Sequence, residues 1–206
     1  MGFGDNTDQT NWPTLKRFFR NPKLVWDWYR YRREIIRKVS PNPGHYALVI
    51  LEKWAHNFTL ITQNVDNLHH MAGSHSVEEL HGNIMRNRCV DCNRHYGENE
   101  ITPAEIPRCS CGGMIRPDVV LFGELVPADV LQRSIIASRE CDVFLSIGTS
   151  AVVYPAASLP IEAKDQGAFV VEINCEKTVI SDHIDESLIG KAGEILPALT
   201  KALGIE

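Results

Sequence analysis

The chain has 206 residues and a formal net charge of −5, from 26 acidic against 21 basic side chains. That length buries a sizeable core, enough for one domain with an inserted module or for two small ones. The acidic balance argues against nucleic acid as the main partner, because such binding draws on clustered positive charge. No apolar run approaches the ~20 residues of a membrane span, so no membrane partner is expected. Residues 1–20 include Asp5, Asn6, Asp8 and Gln9 and carry neither a signal nor a convincing transit peptide. Six cysteines, four of them in two close pairs, suit a metal in a reducing compartment better than a disulfide framework, which makes the expected location cytoplasmic.

In chain order, Met1 to Thr14 is polar and glycine-containing and reads as poorly ordered or loosely docked. Asn21-Pro22 is a helix start, Asn as the cap and Pro at the first helical position. A helix over 24–39 follows, with Val25, Trp28, Ile35 and Ile36 as its apolar stripe and Arg37 and Lys38 favourably placed in the last turn. Pro41 and Pro43 end it. Residues 45–54 predict a second helix with Ala47, Leu48, Leu51 and Trp54 inward, leading into a strand at 58–62. A cysteine module runs from about Met85 to Pro117, and a short apolar segment, 119–122, is ended by Gly123-Glu124. Beyond it the pattern predicts a helix over 127–140 and a buried strand over 142–147. A partial helix over 154–164, a buried strand over 168–173 and a closing helix over 190–203 follow. Strands alternating with helices imply βαβ units, an α/β Rossmann-like parallel sheet. The expected division is a helical part at 15–43, a zinc-binding module at 85–118, and a nucleotide-binding type of domain assembled from 44–84 and 119–206.

The cysteines carry the sharpest chemistry. Cys89-x-x-Cys92 and Cys109-x-Cys111, separated by residues 93–108, put four thiolates on two tight knuckles. Such a set makes a closed tetrahedral site, a structural zinc rather than a catalytic one. Cys141 and Cys175 read as buried small hydrophobes beside strands. The strand at 58–62 ends in a burst of polar side chains, Thr62, Gln63, Asn64 and Asp66. A buried parallel strand looks like this when it delivers groups to a ligand at its carboxyl end, although a helix cap and a turn fit the same residues. His81, taken alone, fits a satisfied core histidine equally well. Two further strand ends, Gly148-Thr149-Ser150 and Asn174-Cys175-Glu176, are also polar or glycine-bearing. In a doubly wound sheet such ends converge on one crevice, where dinucleotides bind. Gly148 lets the backbone come close to a phosphate and Ser150 can donate to it.

The string Thr62-Gln63-Asn64-Val65-Asp66-Asn67-Leu68-His69, followed by Leu80-His81-Gly82 and a four-cysteine module, resembles the sirtuin family of NAD-dependent protein deacylases. The likeness runs from about Phe18 to about Leu199. It implies NAD as cosubstrate, one structural zinc, and acylated lysine side chains of proteins as substrate. Under this resemblance Gln63, Asn64 and Asp66 contact the nicotinamide and its ribose. Gly148, Thr149 and Ser150 line the phosphates, Asn174 and Glu176 meet the adenine-side ribose, and Ala192 meets the adenine. Val120, Phe122, Gly123 and Glu124 match the segment that pairs with the substrate backbone as an added strand. The implied chemistry has the acyl oxygen attack the ribose carbon that bears nicotinamide. His81, as general base, then activates a ribose hydroxyl that captures the acyl group; a free imidazole, with a pKa of about 6.5, suits that role. The products are free lysine, nicotinamide and O-acyl-ADP-ribose.

Tyr29 and Arg32, at i and i+3 on the first long helix, share a face. Their surroundings resemble the branch of the family that removes succinyl, malonyl and glutaryl groups, where a Tyr and an Arg at this spacing hold the acyl carboxylate. A basic solvated face, with Arg30, Arg33, Arg37 and Lys38 nearby, is the bland alternative. Tyr31 and Arg33, which face elsewhere on the helix, are the alternates. Nothing in the sequence matches the family's opening strand and Gly-Ala-Gly-x-Ser loop. The resemblance therefore implies a sheet without its first βα unit. It also leaves a second reading, a non-catalytic, zinc-stabilised acyl-peptide-binding protein with weak NAD binding. A nucleic-acid-binding zinc ribbon is disfavoured by the charge.

Overall fold

A computed structural model describes residues 13–101 and 106–205. Most of the segment expected to be loosely ordered, residues 1–12, lies outside the described residues. The helices are α1 (Leu15–Arg20), α2 (Pro22–Ile36), α3 (Pro43–Trp54), α4 (Leu68–Ala72), α5 (Ala128–Glu140), α6 (Leu159–Asp165) and α7 (Ala192–Ala202). The strands are β1 (Leu60–Thr62), β2 (Val77–Glu79), β3 (Gly82–Cys89), β4 (His95–Tyr96), β5 (Ile115–Val119), β6 (Val143–Ile147), β7 (Phe169–Asn174) and β8 (Glu186–Ile189). They divide into two compact units, one from the described part of Met1–Lys38 with Gly82–Leu125, the other from Val39–His81 with Val126–Glu206.

In the first unit α2 starts where the sequence places it, with Asn21 Oδ1 accepting from Leu24 N at 3.1 Å and Pro22 in the first turn. Its buried face matches the predicted stripe at Val25 and Ile36 only. Val25, Trp26, Tyr29, Arg33 and Ile36 are buried, while Trp28 and Ile35 are only partly so. The reason is Arg33, which donates to Ile84 O (2.6 Å), Arg86 O (3.1 Å) and Asn87 Oδ1 (2.7 Å). A guanidinium given these acceptors, with the Glu98 carboxylate 3.8 Å from its Nη1, can sit in a core, and a charged residue at the centre of the stripe hides that stripe from a hydrophobic pattern. Trp26 Nε1 donates to Ile115 O at 3.1 Å and fastens the helix to β5. The strands form an antiparallel sheet of order β4-β3-β5, with a register shift between Asn83 and Asn87.

The second unit holds the parallel strands. α3 is capped by Asn42 and buries Gly44, Ala47, Leu48, Val49 and Leu51. Trp54, expected inward, is 56% exposed; the core cluster that takes Ala47, Leu48 and Leu51 does not reach the last residue of the helix. Of the two cysteines read as buried hydrophobes, Cys141 is half-buried and Cys175 is exposed, because it lies just past the end of β7. β1 pairs with β2, and β6-β7-β8 form a separate parallel sheet. The two sheets share their cores. Leu60 of β1 packs in one cluster with Leu145 and Ile147 of β6 and Ile173 of β7; Ile61 of β1 and Phe144 of β6 pack in another, around Leu80 and Leu159. Among the described residues β1 and β6 each have one hydrogen-bonded neighbour. Unpaired strand edges invite pairing between molecules. We expect the purified chain to self-associate with rising concentration in light scattering, and a monodisperse monomer over the whole range would contradict this. No helix among the described residues is long and apolar enough to cross a membrane.

Candidate functional site

In the second unit β6 and β7 run parallel and end side by side, at Ile147 and Asn174. Gly148 leaves β6 with φ +60° and donates its N–H to Ile173 O at 2.9 Å. A side chain there would strain the left-handed backbone. Thr149 follows as a hub. Its Oγ1 accepts from Ala151 N and from Gln63 Nε2, both at 3.3 Å, and its carbonyl accepts from Asn174 Nδ2 at 2.9 Å. A cavity of about 450 Å³ opens between residues 148–150 on one side and Asn174 with residues 176–179 on the other. Its walls offer hydroxyls, amides, one cation, Lys177, and one carboxylate, Glu176; the donors suit phosphate oxygens and the carboxylate suits ribose hydroxyls. Lys177, Thr178 and Val179 were not singled out from the sequence, because loop residues past a strand carry no periodic signal.

Gln63 joins this cavity to His81. The main-chain carbonyl of Gln63 lies 3.1 Å from His81 Nδ1. A carbonyl oxygen only accepts, so in the neutral ring Nδ1 carries the proton and Nε2 keeps its lone pair. The half-buried His81 is thereby a base with one defined basic nitrogen. Thr149, Gln63 and His81 form one connected set. His69, in the neighbouring segment, is different. Its Nδ1 is buried with no partner, and burial, then His45 with its ring centroid 4.8 Å away, pulls its pKa down to about 4.

The other positions drawn from the sequence sit apart from that set. Asn64 is exposed, with its N–H on Thr62 Oγ1 at 3.0 Å. Asp66 Oδ1 accepts from Leu68 N at 3.0 Å, a side-chain turn just ahead of α4, whose N-cap position is held by Asn67. Glu176 is exposed at the rim of the cavity. Ala192 opens α7, packs against the α3 cluster and is not among the cavity's lining residues.

In the first unit the four predicted metal ligands converge. Cys89 Sγ and Cys111 Sγ are 3.5 Å apart, Cys92 Sγ and Cys109 Sγ 3.6 Å, and all four atoms lie within 4.8 Å of one another. A zinc with four Zn–S bonds of ~2.3 Å needs sulfur separations of about 3.8 Å, so the donor set fits. The backbone N–H of Cys111 and the Tyr96 hydroxyl (2.9 Å) both point at Cys109 Sγ and lower its pKa, while the neighbouring thiols raise that of Cys111, as expected of four sulfurs crowded together. Gly113 leaves room for the cluster: a Cβ there would stand 2.7 Å from Cys89 Sγ.

Also in the first unit, Tyr29 is 3% exposed, and burial pushes its hydroxyl pKa up, so the phenol stays neutral. Arg32 is half-buried, its guanidinium 4.7 Å from the Trp28 ring centroid. Val120 follows the end of β5, and Phe122, 54% exposed, donates its N–H to Pro13 O at 3.3 Å. Gly123 turns the chain with φ +87°. Glu124 is held by Arg116, both carboxylate oxygens at 2.7 Å, and accepts from Leu121 N at 2.7 Å. Its carboxylate shapes the 121–124 turn.

A model of the Sir2 family matches residues 1–155. The NAD-dependent protein deacylase of Aquifex aeolicus (strain VF5) is 52% identical over 181 residues, 87% of this chain and 76% of that protein. That of Pyrococcus furiosus is 46% identical over 197 residues, 92% of this chain and 79% of that protein. Among solved structures, a Sir2 homolog–NAD complex superposes with a TM-score of 0.87 at 41% identity, covering 93% of this chain and 75% of that one. Sir2 bound to acetylated peptide gives 0.83 at 31% identity, covering 94% and 83%. The family match covers well over half of the chain, and the chain belongs to the Sir2 family.

Proposed function

We propose that this chain is an NAD-dependent protein-lysine deacylase in which Nε2 of His81 accepts the proton. The observation that carries the reading is the Gln63 carbonyl on His81 Nδ1, which fixes one tautomer beside a polar cavity. When bound, NAD supplies a ribose carbon activated by its nicotinamide leaving group and a ribose hydroxyl to take the acyl group. The chain's own share is positional. Gly148, Thr149, Ser150 and Asn174 offer donors to phosphate and ribose oxygens, Gln63 bridges cavity and base, and His81 takes the hydroxyl proton. The 120–123 segment takes the acyl-lysine peptide as an added strand. The cysteine cluster holds one zinc, closed to substrate and serving the fold. Proteins named NAD-dependent protein deacylase among the relatives support this assignment. Four thiols gathered as metal ligands suit a reducing compartment, and we infer a cytoplasmic location.

We further infer a preference for acidic acyl groups, held by Tyr29 and Arg32. A neutral buried phenol donates a hydrogen bond, and a guanidinium pairs with a carboxylate. Arg32→Ala is expected to lower kcat/KM for a succinyl-lysine peptide about 10- to 100-fold, the worth of a charge-assisted hydrogen bond, and to leave an acetyl-lysine peptide within about twofold. Equal losses on both peptides would remove Arg32 from the acyl site.

The split sheet of the second unit favours one competing reading, a zinc-stabilised acyl-peptide binder that holds NAD weakly. Melting in increasing NAD separates the two. Saturable binding to the folded state raises Tm by mass action, whereas a flat Tm into the millimolar range supports the binder.

A further inference from the structure

Glu172 sits in the middle of β7, 1% exposed, and no ion pair with a basic side chain involves it among the described residues. Its partners are three hydroxyls. Thr178 Oγ1 donates to Oε1, Ser181 Oγ donates to Oε2, and Ser187 Oγ of β8 reaches Oε2 at 3.2 Å. A carboxylate is costly to bury unless its lone pairs are bonded, so these contacts form a built arrangement. Two of the hydroxyls belong to the loop after β7 and relay the anchor to its backbone. Ser181 Oγ accepts from Thr178 N at 2.8 Å, and Thr178 Oγ1 accepts from Ile180 N at 3.4 Å. The same loop, residues 176–179, is the cavity wall opposite Gly148.

We propose that Glu172 is a positioning residue for NAD. Through Thr178 and Ser181 it holds the 176–179 wall in place and so sets the affinity of the cavity for the ADP-ribose part of the cosubstrate. The inference rests on the reading of that cavity as the NAD site. A hydroxyl can donate to or accept from an amide, so glutamine at this position can keep most of the anchor, whereas alanine removes all of it.

Two readouts separate the anchor from the function. Hydrogen exchange on the protein without nucleotide should show the amides of Thr178 and Ile180 exchanging about tenfold faster in Glu172→Ala, with β6 unchanged. Calorimetry with ADP-ribose should show Kd rising about tenfold in Glu172→Ala, the worth of one hydrogen bond, and less than about threefold in Glu172→Gln. kcat and the KM for acyl-lysine peptide should stay within about twofold, since a wall that grips only the nucleotide leaves the chemical step alone. An unchanged ADP-ribose Kd in a loosened loop overturns the proposal, as do parallel losses in ADP-ribose binding, peptide KM and kcat. If the parent chain binds no ADP-ribose, the NAD reading fails and the affinity claim falls with it, while the exchange data still report whether Glu172 anchors the loop. Should Glu172→Ala not fold, Ser181→Ala removes one link of the same relay and is read in the same two ways.

Discussion

Replacing His81 with alanine is expected to lower deacylation by about 10²- to 10⁴-fold, the usual worth of a positioned general base, with the Kd for ADP-ribose little changed. The asymmetry follows from the geometry. Among the described residues the His81 side chain makes one hydrogen bond, Nδ1 on the Gln63 carbonyl. Removing the ring leaves the Gln63 side chain on Thr149, and the cavity between residues 148–150 and 176–179, in place. The lost group is the Nε2 lone pair alone. Nicotinamide release and deacylated peptide, followed together in one assay, measure the effect. A loss under about tenfold would mean that another group accepts the proton, because a general base is worth more than that.

Withdrawing zinc should be equally severe, and it should act on the fold. Structural zinc sites bind with apparent free energies of about 10–16 kcal/mol in small peptides, comparable with the whole ~5–15 kcal/mol stability of an ordinary domain. Here the cysteines flank the strands of the first unit: Cys89 ends β3, Cys92 precedes β4, and Cys109 and Cys111 precede β5. Chelation, or Cys109→Ser, is therefore expected to unfold the antiparallel sheet β4-β3-β5. Hydrogen exchange should show protection lost in Ile84, Asn87 and Ile115 on metal removal, and metal analysis should find one zinc per chain. A metal-free chain with an unchanged Tm would show that the thiols are packing groups and no more.

Much of the second unit was legible because its buried strands and amphipathic helices obey simple periods. The 142–147 and 168–173 runs became β6 and β7, and the helix over 127–140 became α5, within a residue or two. The first unit was harder to read. Asn83, Arg86, Asn87 and Arg88 make β3 look polar, and the register shift between Asn83 and Asn87 breaks its alternation. Arg33 hid the buried face of α2 for a related reason: its guanidinium finds its hydrogen-bond acceptors and its carboxylate partner, Glu98, far away in sequence. β2 and β8 are short, and β8 opens with Glu186 and Ser187, so neither had a pattern to find.

The site divides in the same way. Cysteine spacing is local and gave the metal cluster directly. Residue type placed Gly148, Thr149 and Asn174 at strand ends, and the structure joins them to one cavity. Spacing alone could not show that Gln63 bridges Thr149 and His81, since that depends on contacts between distant segments. Nor could it show that Glu124 is taken by Arg116.

The most direct test is mass spectrometry of a succinyl-lysine and an acetyl-lysine peptide, each incubated with the purified chain and NAD. The account predicts deacylated peptide, nicotinamide and O-acyl-ADP-ribose appearing together, and none of them above background with His81→Ala. Intact peptides and intact NAD, from a chain that retains its zinc, would contradict it.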